Sequence, residues 1–432
     1  MIEYLPILVL VISFGILLVF SVPVAWSIAI SSLLTIMVSV PFLPSLTTVS
    51  QRIATGLDSF ALLAIPFFIL SGQIMTEGGI ASRLISFAKT LVGFLPGGLA
   101  LINIISAMLM GSIAGSAMAS ASAMGSILGP EMEKEGYSKE FGVAVNITSA
   151  TTGLVIPPSN VLIVYSLASG GVSVAALFLA GYIPGILTGL FLMIVAMIWS
   201  KKNNYKVGKK STLKEVFTEF INALPSLFLL VIVVGGIIFG IFTATEASAI
   251  AVLYTLILGF IYRELTVKGM PKVLLESIEI TAIVMLLIGA SMCMSWVLSF
   301  ENIPQDISTF LLGISDNKII ILLIINLILL MVGIFMDMTP AVLIFTPIFL
   351  PVVTSLGMDP THFGIILVLN LCIGLCTPPV GSVLFVGVGI ANTTITKVIK
   401  PLIPFFIVMI FSLFLVTYIP ALSLFLPELF NL

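Results

Sequence analysis

Charge is what this chain lacks most. Only 8% of its 432 residues are Asp, Glu, Lys or Arg, against roughly a quarter in soluble domains. With 59% hydrophobic residues and a mean hydropathy of +1.29, most of the surface must be solvated by lipid. Histidine is almost missing, since His362 stands alone, and the three cysteines, Cys293, Cys372 and Cys376, lie inside apolar stretches. Neither a Cys/His zinc set nor a Cys/His nucleophile pair can be assembled from these, and the cysteines read as packing residues. A basic arm or stripe is absent as well, which leaves no footprint for nucleic acid. The first residues carry no basic segment and no small-residue cleavage site, so residues 5–20 read as a retained first span.

What is present is a succession of apolar runs, each near the roughly 20 residues a helix needs to cross a bilayer. The runs and breakers predict spans at 5–20, 24–39 and 58–76, and an amphipathic segment at 78–92 with Arg83 and Lys89. The stretch 97–133 has a small, polar middle at Gly111 to Ser116, which suits a helical hairpin with its tip inside the membrane. A long segment at 139–168 follows, broken at Gly153 to Asn160, and then a span at 174–199.

The second half repeats this order. A shift of 221 residues lays Pro130 on Pro351, Gly136 on Gly357 and Pro157-Pro158 on Pro378-Pro379. Weak internal symmetry of this kind marks secondary transporters. The reading is an all-α polytopic membrane protein made of two units, each of five spans plus one re-entrant helical hairpin. Residues 1–200 form the first unit, 201–217 a cytoplasmic linker and 218–432 the second unit, with its hairpin at 317–356 and its broken span at 361–390. An odd number of spans inverts the second unit. The positive-inside rule agrees: with the lysine-rich linker in the cytoplasm, every one of the 17 basic residues except Arg52 and Lys318 falls inside. Both termini then face the periplasm. The linker itself reads as a topology anchor beside anionic lipid.

Backbone that leaves the helix within a bilayer survives only where protein, water or a ligand satisfies it. Four such places are predicted: the tips Gly111 to Ser116 and Gly333 to Pro340, and the breaks Gly153 to Asn160 and Gly374 to Gly381. Freed carbonyls with Ser and Thr hydroxyls make an oxygen cage suited to Na⁺, while half-helix N-termini offer N–H groups to an anion. Asp337 is the one acidic residue expected deep in the bilayer, at a cost of about 2.5–3.5 kcal/mol on insertion scales. With Thr339 it suggests a cation site, a helix-capping role or both. Thr243-Ala244-Thr245-Glu246 fits a capping box.

At these motifs the sequence resembles the large membrane subunit, the M or DctM-like subunit, of tripartite ATP-independent periplasmic (TRAP) transporters. The likeness runs over essentially the whole chain and is most specific at Gly153 to Asn160, Phe242 to Ala247, the Asp337 tip and Gly374 to Gly381. It implies uptake of a carboxylate-bearing solute, sialic acid or a C4-dicarboxylate, driven by Na⁺ through an elevator-like motion in a bacterial inner membrane. It also implies two partners, a small four-span Q-type membrane subunit and a periplasmic P-type solute-binding protein. Carried over by residue, one Na⁺ is expected near Ser112, Ser116, Gly153 and Val155, and another near Asp337, Thr339, Gly374 and Thr377. The substrate is expected between the tips, at Ser112, Gly115, Ser116, Ser159, Asn160, Met336 and Gly381. Residues 117–123 lack the acidic residue found in many relatives, which speaks against a second carboxylate. A stand-alone Na⁺- or H⁺-coupled carboxylate carrier is the rival within transport. An enzyme lacks a catalytic constellation, and a channel would show charge rings or a repeated filter.

Overall fold

The computed structural model describes residues 5–208, 210–315 and 317–432; the side chains of Ala81, Ser112, Ile113, Ala114 and Leu312 lie outside the description. All regular structure among the described residues is helical, and eight helices are long and apolar enough to cross a membrane.

The first half opens with Leu5–Val19 and Val24–Ser39, which pack on each other, and then Phe42–Leu57, an amphipathic helix that lies between the predicted spans. After a short turn of helix at Phe60–Leu63 come the span Ala64–Glu77 and an arm, Ile80–Val92. The hairpin is Gly98–Ala114 with Ala117–Lys134. The broken span is Lys139–Thr152 with Asn160–Ala168, and Val174–Lys202 closes the series.

The second half runs in the same order: Leu213–Ile238, Ala244–Ile261, Met270–Phe300, an arm at Ile303–Ile314, a hairpin of Lys318–Phe335 with Met338–Ser355, a broken span of Pro360–Leu375 with Ser382–Ile390, and Ile395–Tyr418. A short helix, Ala421–Leu429, follows. One difference stands out. Met270–Phe300 is continuous over 31 residues, whereas its counterpart breaks at Asp58-Ser59, short polar residues that favour turns.

Local backbone repeats as well. Left-handed Gly79 (φ 69°) and Asn302 (φ 57°) precede the two arms, Gly136 and Gly357 follow the two hairpins, and both breaks carry a cis Pro-Pro bond. Thr243 and Glu246 form a complete capping box, and Thr245 Oγ1 donates to the Phe60 carbonyl at 2.9 Å, so this motif fastens one scaffold span to another.

The centre is where the two broken spans cross. Cys372 Sγ donates to the Thr151 carbonyl at 3.0 Å and Cys376 Sγ lies 3.4 Å from Thr151 Oγ1, so these two cysteines are packing residues. The halves interlock: Asn160–Ala168 packs on Met338–Ser355, and Ser382–Ile390 on Ala117–Lys134. Around this core stands a scaffold to which the first arm is fixed. Arg83 lies 3.6 Å over the Tyr262 ring and Phe87 meets Phe220 at 5.6 Å.

Candidate functional site

Two glycine pairs press each hairpin onto its broken span. A methyl group on Gly111 would stand 2.9 Å from the Gly153 Cα, and one on Gly333 would stand 3.0 Å from the Gly374 Cα. Only residues without a Cβ allow helices to touch through backbone in this way. Immediately beyond each pair the helices stop, so tip and break meet.

At the first tip Gly115 turns left-handed and sits directly against the Asn160 amide, and Ser116 Oγ accepts from the Ala119 N–H at 3.3 Å. At the second, Asp337 holds the N-cap position of Met338–Ser355 with no side-chain capping hydrogen bond. The Gly381 N–H donates to the Ile334 carbonyl at 3.1 Å, which ties break to tip.

Four helices therefore begin around one point: Ala117–Lys134, Asn160–Ala168, Met338–Ser355 and Ser382–Ile390. Their first turns line a single cavity of about 370 Å³, through Ala117, Met118, Ala119, Asn160, Val161, Met338, Thr339 and Val383. The facing wall belongs to the scaffold: Ile65, Ile69, Gly72, Gln73 and Thr76 on one span, and Ile280, Ile283, Val284 and Leu287 on another. Among the described residues that line the cavity, Asp337 is the only ionisable one.

Of the residues singled out in the sequence, Gly115, Ser116, Asn160, Asp337 and Thr339 are brought together in this cavity. The others stand behind it. Gly153 and Gly374 form the glycine contacts, buried Val155 turns its carbonyl against Gly181, and Met336 is buried beside its tip. Ser159 Oγ is committed to the Leu154 carbonyl at 2.6 Å, and Thr377 Oγ1 donates to the Ile373 carbonyl at 2.7 Å. Gly381 lies where two carbonyls converge, since a methyl group there would be 2.8 Å from both the Leu375 and the Thr377 oxygen. The Ser112 side chain falls outside the described residues. Gln73, Thr76 and the apolar scaffold wall were not foreseen, because nothing in a scaffold span's own sequence says which turn will face the core.

The arrangement is suited to an anion. Helix N-termini bring unpaired N–H groups and positive dipole ends, and no Lys or Arg competes for that role in the lining. The Leu375 and Thr377 carbonyls near Gly381 are oxygens of the ligand type that a hard cation takes. The two breaks differ here. Val380 stands at the place of Ser159, so the Leu375 carbonyl lacks the hydroxyl that satisfies Leu154. Among the described residues no cluster of three or more His, Cys, Asp or Glu offers a transition-metal site.

Comparison with known families gives the same direction. Residues 11–422 match the model of the family described as tripartite ATP-independent periplasmic transporter, DctM component. The chain belongs to the DctM family. Members of this family are transporters and not enzymes. The DctM chain is 55% identical over 429 residues to the protein YgiK of Salmonella typhimurium, with 99% of each chain covered. It is 37% identical to the C4-dicarboxylate TRAP transporter large permease protein DctM of Rhodobacter capsulatus, over 89% of this chain and 91% of that one. It is 38% identical to the sialic acid TRAP transporter large permease protein SiaM of Vibrio cholerae, over 88% and 89%. Among solved structures, the Alcanivorax borkumensis YdaH transporter superposes with a TM-score of 0.62 at 12% identity, covering 87% of this chain and 88% of that one. At that identity the likeness concerns the fold.

Proposed function

We propose that this DctM-type chain is the large permease of a tripartite transporter that takes up a small organic anion, sialic acid or a C4-dicarboxylate, together with Na⁺. The observation that carries the reading is the convergence of four helix N-termini on one cavity whose only ionisable lining residue is Asp337. Substrate charge is met by N–H groups. Na⁺ ions at Asp337, Thr339, Gly374 and Thr377, and at Ser112, Ser116, Gly153 and Val155, offset the repulsion between Asp337 and the substrate and couple uptake to the Na⁺ gradient. That both a C4-dicarboxylate and a sialic acid permease stand at similar identity supports the solute class.

The two units, 1–200 and 218–432, joined by a cytoplasmic linker at 201–217, lie inverted in the inner membrane with both termini in the periplasm. The cavity reaches Thr76, beside Glu77 at the end of its span, which in this orientation is the cytoplasmic end. The structure then corresponds to an inward-facing state. The hairpins and broken spans move as one body past the scaffold, an elevator motion, between this state and an outward-facing one. A small four-span subunit braces the scaffold, and a periplasmic binding protein delivers the anion.

The test is reconstitution with the small subunit in liposomes, with uptake of labelled N-acetylneuraminate and succinate measured against an imposed Na⁺ gradient. Uptake that needs both Na⁺ and the binding protein is expected. Uptake without the binding protein would replace the tripartite reading by a stand-alone carrier, and uptake without Na⁺ would remove the coupling.

A further inference from the structure

The repeat relates the two ends of the scaffold residue by residue. Gly79 and Asn302, both left-handed ahead of their arms, set a register in which Thr76 corresponds to Ser299 and Gln73 to Trp296. Both hydroxyl residues also bond back to their own helix. Thr76 Oγ1 donates to the Gly72 carbonyl at 2.9 Å, and Ser299 Oγ donates to the Ser295 carbonyl at 3.0 Å. The helix packing repeats too, since Met270–Phe300 contacts both Ala64–Glu77 and Phe42–Leu57. Exchanging the repeats therefore maps the scaffold wall that ends at Gln73 and Thr76 onto Met292, Ser295, Trp296 and Ser299. In this state that second wall packs in part on the scaffold helix Phe42–Leu57, where a methyl group on Gly56 would stand 2.7 Å from the Met292 Cβ, and it does not line the cavity.

The two walls differ in charge. Where the present cavity has the neutral amide of Gln73 and no basic residue, its counterpart has Trp296 with the exposed Arg52 guanidinium held 4.7 Å over its ring. Trp296 in turn stacks on Phe300 at 5.1 Å. Such a stack fixes a long side chain while leaving the edge of the guanidinium fork free for a carboxylate.

We propose that Arg52, positioned by Trp296, is the scaffold's anion-binding group in the outward-facing state, and that the solute leaves it behind when the core moves inward. The inference rests on the elevator and topology reading above. Its consequence is one-sided affinity. The solute's carboxylate has a charged, bidentate partner outside and only N–H groups and an amide inside, so the scaffold favours capture on one face and release on the other. Net accumulation still comes from the Na⁺ gradient.

The experiment uses proteoliposomes holding the permease with its small subunit, supplied on the outer face with the binding protein and Na⁺, and whichever of N-acetylneuraminate or succinate the wild type carries. The KM for entry from the outer face and the KM for exit from the inner face are measured separately. Arg52→Gln is expected to raise the outer KM about tenfold, the loss of one charge-assisted pair, and to leave the inner KM unchanged, with Arg52→Lys recovering part of the loss. Trp296→Leu, which frees the guanidinium, is expected to give a smaller rise on the same side. An unchanged outer KM in Arg52→Gln, or equal rises on both faces, overturns the proposal while the transport reading stands. Wild-type protein that carries neither anion removes that reading and this inference with it.

Discussion

Gly333 and Gly374 touch through their backbones: a methyl group on Gly333 would stand 3.0 Å from the Gly374 Cα, and the reverse contact is closer still. Gly111 and Gly153 repeat the arrangement in the other half. The contact sets where both helices end, and so where the second tip and the second break present their free groups. Gly374→Ala is expected to destabilise the core by about 1–3 kcal/mol, the usual cost of overpacking a tight interior, and to abolish uptake. A fall in the thermal midpoint of the purified complex, together with lost Na⁺-driven uptake, checks this; an unaltered midpoint would mean that the helices separate freely.

Asp337 is the only ionisable residue among the described residues of the cavity lining. Asp337→Asn keeps its size and removes its charge. Na⁺-driven uptake is expected to disappear, while insertion and co-purification with the small subunit persist. Wild-type uptake by a well-folded Asp337→Asn protein would overturn the proposed cation role of Asp337.

Ser159 and Val380 occupy equivalent places and do different things. The buried Ser159 hydroxyl satisfies the Leu154 carbonyl at 2.6 Å, so Ser159→Ala leaves a buried acceptor unpaired, at about 1–3 kcal/mol. The converse change, Val380→Ser, offers a hydroxyl to the Leu375 carbonyl in competition with a cation. A several-fold rise in the Na⁺ concentration for half-maximal uptake is expected for Val380→Ser, read from Na⁺ titrations of initial rate. No change would show that this carbonyl takes no part.

Asn203 and Ser315 lie in loops after Val174–Lys202 and after the second arm. Their cysteine variants are expected to react with an impermeant maleimide from opposite sides of the membrane, Asn203→Cys from the cytoplasm and Ser315→Cys from the periplasm. Labelling from one side would undo the inverted arrangement.

The sequence by itself determined the solvent of this protein, the order of its helices and the places where helix gives way. Lipid follows from a chain with 8% charged residues, and helix from the need to satisfy every backbone group within each segment. The tips and breaks were legible because Gly and Pro act locally on the backbone that carries them. Phe42–Leu57 escaped notice because an amphipathic surface helix has no long apolar run to announce it.

Only the tertiary structure decided which of the free groups share a space. Ser116, Asn160, Asp337 and Thr339 meet in one cavity, whereas Ser159 and Val155, as close in sequence to the breaks, turn inward to pack. The stack of Arg52 on Trp296 joins residues far apart in the chain. Periodicity fixes the face a residue takes on its own helix; what that face meets is set by long-range packing, which no local run of residues encodes.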